Sequence, residues 1–189
     1  MKILQISDTH NRHHVLTNLP EADVIVHCGD FTQHGTEQEV LNFLNWFIEL
    51  PYNHKVFVTG NHDLCLWDAE TIEDLPENLH FLQDRSCVIE GVKFYGLAFN
   101  HSVAYVPNDV DVLVTHEPPT MILDESSGTH WGNMPLRRKV LEVKPQYHLF
   151  GHAHDSSGTM KESGIVFSNG SILNDSYKHV YRPKLFTLK

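Results

Sequence analysis

Aspartates, histidines and one asparagine follow closely behind five apolar runs of the chain, which span residues 2–7, 22–28, 55–60, 111–116 and 146–151. In chain order these polar residues are Asp8, His10, Asp30, Asn61, His62, His116, His152 and His154. Carboxylate, imidazole and amide donors together favour a site for Mn, Fe, Zn, Co or Ni, rather than one for calcium or a thiolate-bound metal. The pattern therefore predicts a transition-metal site whose ligands come from separated parts of the chain.

The spacing within two of these groups brings a pair of ligands to one strand end. Residues i and i+2 of an extended segment point to the same side, so Asp8 pairs with His10 and His152 pairs with His154. The full set of candidate ligands is Asp8, His10, Asp30, Asn61, His116, His152 and His154. This set is too large for one tetrahedral ion and suits two ions that share a carboxylate. Two metal ions roughly 3.5–4 Å apart hold both the attacking and the leaving oxygen in phosphoryl hydrolysis.

Strands and helices alternate along the chain. The apolar runs are short, nearly continuous and rich in β-branched and aromatic residues, which is typical of strands covered on both faces. Amphipathic helices are predicted at 36–50, where Pro51 follows the end, and at 134–144, with Pro135 in the first turn. The alternation predicts an α/β fold, and in such folds ligands gather at the carboxyl ends of neighbouring strands.

Turn signals predict further structure. Hairpins should turn at Glu90-Gly91 and at Ser163-Gly164, and a last strand should lie within 182–189. Residues 118–133 contain Gly, Ser and Pro and are expected to form one long loop. Three glycines precede candidate ligands, where the missing side chain permits a close approach of the backbone. They are Gly29, Gly60 and Gly151.

The bulk properties limit the classes of function. With 189 residues, the chain is expected to form a single domain over 1–189. The formal net charge of −10 argues against a nucleic-acid-binding surface and against docking on anionic lipid. The apolar run before Asp8 is too short for a signal peptide, and the three cysteines form no CxxC pair, so we expect free thiols and a cytoplasmic location. The sequence carries no indication of the oligomeric state.

The order of the motifs resembles a known family. "DTH", "GD", "GNHD", the histidine of "THEPP" and "GHAH" match, in order, the five motifs of the calcineurin-like metallophosphoesterases, from residue 8 to residue 154. The surrounding "HCGDFTQHG", "HWGN" and "VKPQYHLFGHAHDSSG" are similar to the metallophosphoesterase-domain-containing branch, which includes relatives of brain protein 239. The resemblance implies a four-layer α-β-β-α sandwich of two mixed β-sheets flanked by helices.

The resemblance also implies a role for each residue of the set. One divalent ion would be held by Asp8, His10, Asp30 and His154, and a second by Asp30, Asn61, His116 and His152. The ions would be Mn²⁺, Fe²⁺/Fe³⁺ or Zn²⁺, and a hydroxide between them would attack phosphorus. His62 would donate a proton to the leaving oxygen or, with Asn61, bind the phosphate of a small-molecule phosphate ester or nucleotide.

One motif departs from the Ser/Thr protein phosphatases of the same superfamily, in which the second motif continues as GDxxDRG. Gln33 stands where an acid would orient the catalytic histidine, and His34 stands where an arginine would bind phosphate. A doubly charged monoester therefore meets one cation fewer, which favours phosphodiesters, cyclic nucleotides included. Asp63 is an alternative partner for His62. A phosphomonoesterase or nucleotidase, and an inactive binding scaffold, stay open as alternatives.

Other residues have two interpretations. His27 and His148 lie inside strands, and each either supports a ligand or is simply a buried histidine. His13 and His14 are expected to be exposed. Trp131 is interpreted by default as a packing residue, with a substrate contact as the alternative. The basic run 137–139 is expected to form a solvated helix face.

Overall fold

Two mixed β-sheets lie face to face between two α-helices in residues 1–188, the part of the chain that the computed structural model describes. The helices are α1 (Glu37–Glu49) and α2 (Met134–Val143). The strands are β1 (Lys2–Ile6), β2 (Val24–His27), β3 (His54–Phe57), β4 (Leu79–Phe81), β5 (Arg85–Ile89), β6 (Val92–Gly96), β7 (Val112–Val114), β8 (Glu125–Ser126), β9 (Thr129–His130), β10 (Tyr147–Phe150), β11 (Gly158–Glu162), β12 (Ile165–Asn169) and β13 (Lys184–Thr187). Short 3₁₀ helices lie at His13–Val15, Leu64–Leu66, Val103–Tyr105 and His154–Ser156.

Both sheets are parallel in their centres and antiparallel at an edge. The first has the order β13-β1-β2-β3-β4, in which β13 alone runs antiparallel to its neighbour. The second has the order β11-β12-β10-β7-β6-β5, in which β11 and β5 are the antiparallel edges. Because parallel strands end at the same edge of a sheet, the loops after β1, β2 and β3 share one edge, and those after β7, β10 and β12 share another. An isolated bridge between Ser7 and Ser171 joins these two edges into one rim.

Three apolar layers hold the sandwich together. Between the sheets, Val24 and Val56 pack with Phe94 and Val112. Outside the first sheet, Phe43 and Phe47 of α1 pack on Phe31 and Phe57, and outside the second sheet, Leu136 and Val140 of α2 pack on Phe150 and Phe167. The four-layer α-β-β-α sandwich is thereby confirmed.

The start of α1 also organises the loop that follows β2. Thr36 accepts a hydrogen bond from the Glu39 backbone, and the Glu39 carboxylate accepts one in return from Thr36, which forms a capping box. The same carboxylate accepts the backbone N–H of His34 at 2.9 Å. One acidic side chain therefore fixes both the helix end and the loop that carries Asp30.

The elements lie where the sequence places them, with two differences. β4 was not predicted, and residues 118–133 contain the small hairpin β8–β9 where one unbroken loop was expected. Strands of two or three residues are too short to show a period of two.

The cysteines Cys28, Cys65 and Cys87 are free. Within residues 1–188, no helix has both the length and the apolar character needed to cross a membrane.

The prediction that His13 is exposed is wrong. The side chain is fully buried, with its ring 4.8 Å from that of Trp46 and 5.8 Å from that of Phe43, measured between centroids. Both residues belong to α1, which covers the 3₁₀ helix His13–Val15. His14 is exposed, as expected.

Candidate metal centre

All the candidate ligands lie on the rim formed by the strand ends. Asp8 and His10 follow β1, Asp30 follows β2, Asn61 and His62 follow β3, His116 follows β7, and His152 and His154 follow β10. Three sets of these side chains bring their donor atoms within 4.8 Å of one another: Asp8, His10 and His154; His10, Asp30 and His62; and Asp30, His116 and His152. The five motifs thus converge on one place.

The first group combines one carboxylate with two imidazoles. His154 Nε2 lies 3.5 Å from Asp8 Oδ1 and 3.1 Å from His10 Nε2. Asp8 is completely buried, and Ser171 Oγ donates a hydrogen bond of 2.6 Å to its second carboxylate oxygen. The Asp8 carboxylate is therefore fixed, with one oxygen turned toward the histidines.

The second group surrounds the amide oxygen of Asn61. That oxygen lies 2.9 Å from His116 Nε2 and 2.9 Å from His152 Nδ1. The carboxylate oxygen Asp30 Oδ2 lies 3.3 Å from His116 Nε2. Two nitrogens and two oxygens therefore face a common point, as the ligands of one cation do.

Asp30 connects the two groups. Its Oδ2 atom lies 3.7 Å from His10 Nε2 on one side and 3.3 Å from His116 Nε2 on the other. Its Oδ1 atom accepts the backbone N–H of His62 at 2.7 Å, which holds the carboxylate in place. The position between both groups is the one required of a bridging ligand.

The hydrogen bonds of the imidazoles fit metal binding. His116 Nδ1 lies 2.8 Å from the carbonyl oxygen of Cys28, and His154 Nδ1 lies 3.3 Å from that of Asn174. A carbonyl oxygen only accepts, so Nδ1 carries the hydrogen in each ring. In the neutral imidazole the lone pair is then on Nε2, the atom that faces the carboxylates. The donor set is therefore prepared for a divalent cation that suits nitrogen and oxygen ligands.

Burial and charge shift the pKa values of these groups in opposite directions. Burial lowers the pKa of His10 and of His152 to about 4, so both rings are neutral at pH 7. Burial also disfavours the charged form of His116, but the Asp30 carboxylate outweighs it and raises the pKa of His116 to about 10. Burial would raise the pKa of Asp8, yet its hydrogen bond to His154 and the charges of nearby histidines hold it well below the usual range. The site therefore holds ionised carboxylates, neutral His10 and His152, and a protonated His116, whose Nε2 proton a bound cation would displace.

The backbone is strained at the ligands. Asp8, His10, Asp30 and His152 adopt φ angles of 55°, 42°, 55° and 70°, in the left-handed region. Such residues cost of order 1 kcal/mol each and persist where the surrounding structure determines them, commonly at functional sites. Glycines make the close packing possible, because a Cβ at Gly60 would collide with the Asp30 carboxylate and one at Gly151 with the Asp8 carboxylate.

His27 and His148 support the centre from outside. His27 Nε2 lies 3.0 Å from Thr9 Oγ1, and His148 Nε2 lies 3.0 Å from Thr115 Oγ1. Thr9 stands between Asp8 and His10, and Thr115 precedes His116. Each sheet therefore carries one buried histidine that contacts a threonine next to a candidate ligand.

The partner of His62 differs from the expected ones. His62 Nδ1 lies 2.8 Å from the main-chain carbonyl oxygen of Gln33. Asp63 is completely buried and accepts the backbone N–H groups of Asp30, Gly60 and Thr32. The interpretation of Asp63 as the partner of the His62 ring is therefore wrong, because its carboxylate holds the Asp30 loop instead.

Sequence reasoning missed two contributors from the last part of the chain. Ser171 follows β12, a strand parallel to β10, so its loop reaches the same rim and donates to Asp8. The sequence predicts this segment as half of a hairpin, a pattern that does not indicate its parallel pairing with β10. Tyr177 places its ring 4.9 Å from that of His10 and 5.4 Å from that of His154, and nothing in its sequence context indicated this position.

A cavity of about 360 Å³ opens over the centre. The residues that line it are Asp30, Asn61, His62, Ser126, Ser127, Trp131, His152, His154, Asp175 and Tyr177. None of these lining residues is an arginine or a lysine. Ser126 and Ser127 both donate hydrogen bonds to Asp175, so the acidic residue in the wall is held in place.

Comparison with known proteins decides the family. The family model for calcineurin-like phosphoesterases matches residues 1–156, which include every candidate ligand. The chain belongs to the calcineurin-like phosphoesterase family. Calcineurin-like phosphoesterases are metal-dependent hydrolases of phosphate esters, and the Asp and His groups described above provide candidate metal sites for that chemistry.

Relatives agree with this assignment, and solved structures share the fold. A UPF0046 protein of Caenorhabditis elegans is 32% identical over 98% of this chain and 74% of its own length. The human metallophosphoesterase domain-containing protein 1 is 31% identical over 97% of this chain and 69% of its own length. The phosphopantetheinyl hydrolase of Mycobacterium tuberculosis has the same fold, with a TM-score of 0.67 at 11% identity, covering 93% of this chain and 90% of the hydrolase. An archaeal phosphodiesterase has a TM-score of 0.51 at 18% identity, covering 98% of this chain and 100% of that one.

Proposed function

We propose that this calcineurin-like phosphoesterase hydrolyses phosphodiesters with two divalent metal ions. Asp8, His10, Asp30 and His154 would hold one ion, and Asp30, Asn61, His116 and His152 the other. The observation that carries the proposal is the position of Asp30 Oδ2, which faces His10 on one side and His116 on the other. The nitrogen and oxygen donors favour Mn²⁺, Fe²⁺/Fe³⁺ or Zn²⁺.

Bound divalent cations would lower the pKa of water toward neutrality and offset the charge of the phosphate. The residues of the chain prepare for this chemistry. Buried Asp8 and Asp30 supply negative charge at fixed positions, and strained backbone at both residues shows that the surrounding fold determines their positions. Asn61 supplies an uncharged oxygen beside two imidazoles and would also contact the substrate.

His62 would protonate the leaving oxygen or bind an oxygen of the phosphate. Its Nδ1 donates to the Gln33 carbonyl, which leaves Nε2 as the atom available to substrate. The side chain lines the cavity beside Asp30 and Asn61. When water attacks phosphorus, the bond from phosphorus to the leaving oxygen breaks, and a proton from His62 would neutralise that oxygen. General acid catalysis of this kind contributes about 10²- to 10⁴-fold to a rate.

The charge of the cavity supports a diester over a monoester. Asp30 and Asp175 line the wall, and the described lining contains no arginine or lysine to offset a second negative charge on the substrate. A phosphodiester carries one negative charge, whereas a monoester carries up to two at neutral pH. Repulsion from the two carboxylates therefore weighs more heavily against a monoester.

Hydrolysis of bis(p-nitrophenyl) phosphate and of p-nitrophenyl phosphate tests this proposal. Protein treated with EDTA and then loaded with Mn²⁺ should give a higher kcat/KM for the diester, and bound metal should approach two ions per chain. Faster hydrolysis of the monoester would assign a phosphatase or nucleotidase instead. Well under one ion per chain, with no turnover of either ester, would assign a binding scaffold. Cyclic nucleotides are the small-molecule diesters to test next.

A further inference from the structure

Trp131 stands in the wall of the candidate active-site cavity and is largely uncovered. Its side chain lines the cavity together with Asn61 and His152, and the residue is 53% exposed. The ring lies perpendicular to that of His152, with 5.9 Å between centroids. A single exposed apolar residue is ordinary on a protein surface. This one differs because it adjoins a candidate metal ligand.

The main chain holds Trp131 in position. Its N–H donates to the carbonyl oxygen of Asp124 at 2.8 Å. Asp124 is itself buried, and its carboxylate bonds to the N–H of Met121 at 2.8 Å and to His130 Nδ1 at 2.9 Å. Gly132 packs so closely that a Cβ there would collide with Thr120 and Asp124. The tryptophan is therefore presented by a loop that hydrogen bonds and close packing hold in place.

The basic residue Arg137 also stabilises this loop. Its guanidinium donates to the carbonyl oxygen of Thr120 at 2.7 Å and to Glu162 at 2.9 Å. Thr120 in turn donates to the carbonyl oxygen of Gly132 at 2.8 Å. The expectation that the run 137–139 forms a purely solvated face is thus wrong for Arg137, which joins the loop to α2 and β11.

The other large aromatic side chain in the cavity wall already packs against other residues of the protein. Tyr177 packs its ring against His10 and His154 and contacts the apolar layer under α1. Trp131 has its ring partner on one side, His152, and opens on solvent elsewhere. The described lining offers no arginine or lysine to an organic group, and its carboxylates, Asp30 and Asp175, do not favour an uncharged ring. An exposed, positioned indole provides one large surface for contact with such a ring.

We propose that Trp131 is a specificity-determining residue that stacks on a planar aromatic group of the substrate. The inference rests on the proposed function, because it places the phosphate at the neighbouring metal ligands. It goes further in assigning the organic part of the ester to Trp131. Stacking on an aromatic side chain is worth roughly 5- to 150-fold in affinity.

Binding of two singly charged phosphonates tests the inference without turnover. Methyl phenylphosphonate and methyl methylphosphonate differ in one planar ring and carry the same charge. Calorimetric titration of Mn²⁺-loaded protein should give an affinity about ten-fold or more higher for the phenyl compound, as expected for one stacked ring. Equal affinities, or no binding of either compound, would overturn the inference while leaving the diesterase assay unaffected.

Variants of Trp131 locate the effect. Trp131→Leu should reduce the phenyl preference to about two-fold because it keeps apolar bulk but removes the π face, whereas Trp131→Phe should keep most of it. Tyr105→Leu, which replaces another exposed aromatic residue outside the cavity lining, should leave the preference unchanged. Metal content and circular dichroism establish that the variants are folded and loaded. A Trp131→Leu protein that keeps the full preference would refute the role of the indole.

Discussion

His62 Nδ1 lies 2.8 Å from the main-chain carbonyl oxygen of Gln33, and this contact connects the loops that follow β2 and β3. The position after Asp30 that carries an orienting acid in the Ser/Thr protein phosphatases therefore contributes a backbone atom here. Because a carbonyl oxygen only accepts hydrogen bonds, the proton on Nδ1 is fixed. The identity of the side chain at position 33 is irrelevant to this contact.

Two substitutions distinguish the role of the Gln33 carbonyl oxygen from that of the Gln33 side chain. His62→Ala should lower turnover of bis(p-nitrophenyl) phosphate by about 100-fold, the lower end of what general acid catalysis supplies, with bound metal near the parent value. Gln33→Ala should leave kcat within about two-fold, since the carbonyl oxygen stays in place. A large loss of turnover in Gln33→Ala, with normal metal content, would show that the amide side chain acts in the reaction.

Asp30 is expected to determine how many ions are bound. Asp30→Asn keeps the oxygen that accepts the His62 N–H but removes the charge that faces both histidine groups. The variant should bind about one ion per chain or fewer, as measured by elemental analysis after dialysis against Mn²⁺. Asp109→Asn is a matched control on the exposed surface, where the carboxylate pairs with Lys93. Two tightly bound ions in Asp30→Asn would rule out the bridge.

The threonine beside His116 should stabilise the fold through His148. Thr115 Oγ1 donates to the carbonyl oxygen of Glu117 at 2.7 Å, so it accepts a hydrogen bond from His148 Nε2. Thr115→Val leaves that buried N–H without a partner, which should lower the free energy of unfolding by about 1–3 kcal/mol. Urea denaturation in EDTA measures this effect independently of metal.

The double variant provides the control for this effect. Thr115→Val with His148→Phe removes both polar groups, so it should be more stable than Thr115→Val alone. Additive losses from the two substitutions would mean that the 3.0 Å contact carries no coupling energy.

Much of the site was predictable because its ligands follow strands with strong apolar patterns. Asp8, Asp30 and His116 were placed by one rule, that neighbouring parallel strands end at a common edge. Ser171 obeys the same rule but was missed, because β11 and β12 are joined by a tight turn that attracts attention to their antiparallel pairing. The parallel ladder between β12 and β10 depends on residues far apart in sequence.

Other features depend on tertiary contacts that no local pattern reports. Gln33 acts through its carbonyl oxygen, and every residue has one, so its type is uninformative. Asp63 is adjacent to His62 in sequence, yet its carboxylate is buried among backbone N–H groups of the Asp30 loop. Tyr177 belongs to an irregular segment far from His10 in sequence, yet the two rings lie 4.9 Å apart between centroids. His13 resembled a surface residue because α1, which covers it, begins more than twenty residues later.

Buried His13 should make the fold sensitive to acid. Burial, with the charge of neighbouring His14, lowers the pKa of His13 from 6.5 to about 4, and neither ring nitrogen has a hydrogen-bond partner among the described residues. As the pH falls below 6.5, the unfolded chain binds a proton at His13 before the folded protein does. The free energy of unfolding therefore declines between pH 6.5 and 4, by about 2 kcal/mol at pH 5 for this residue.

His13→Phe should remove that dependence, since phenylalanine suits the space between Phe43 and Trp46 and does not titrate. Chemical denaturation in EDTA at pH 7.5 and at pH 5 should show the advantage of the variant over the parent growing by about 2 kcal/mol. His179→Phe replaces an exposed histidine and controls for the loss of a histidine as such. Other buried histidines, such as His27 and His148, are present in both proteins, so their contributions cancel in the comparison. An advantage of His13→Phe that is equal at the two pH values would mean that His13 takes up its proton as readily in the folded protein as in the unfolded chain.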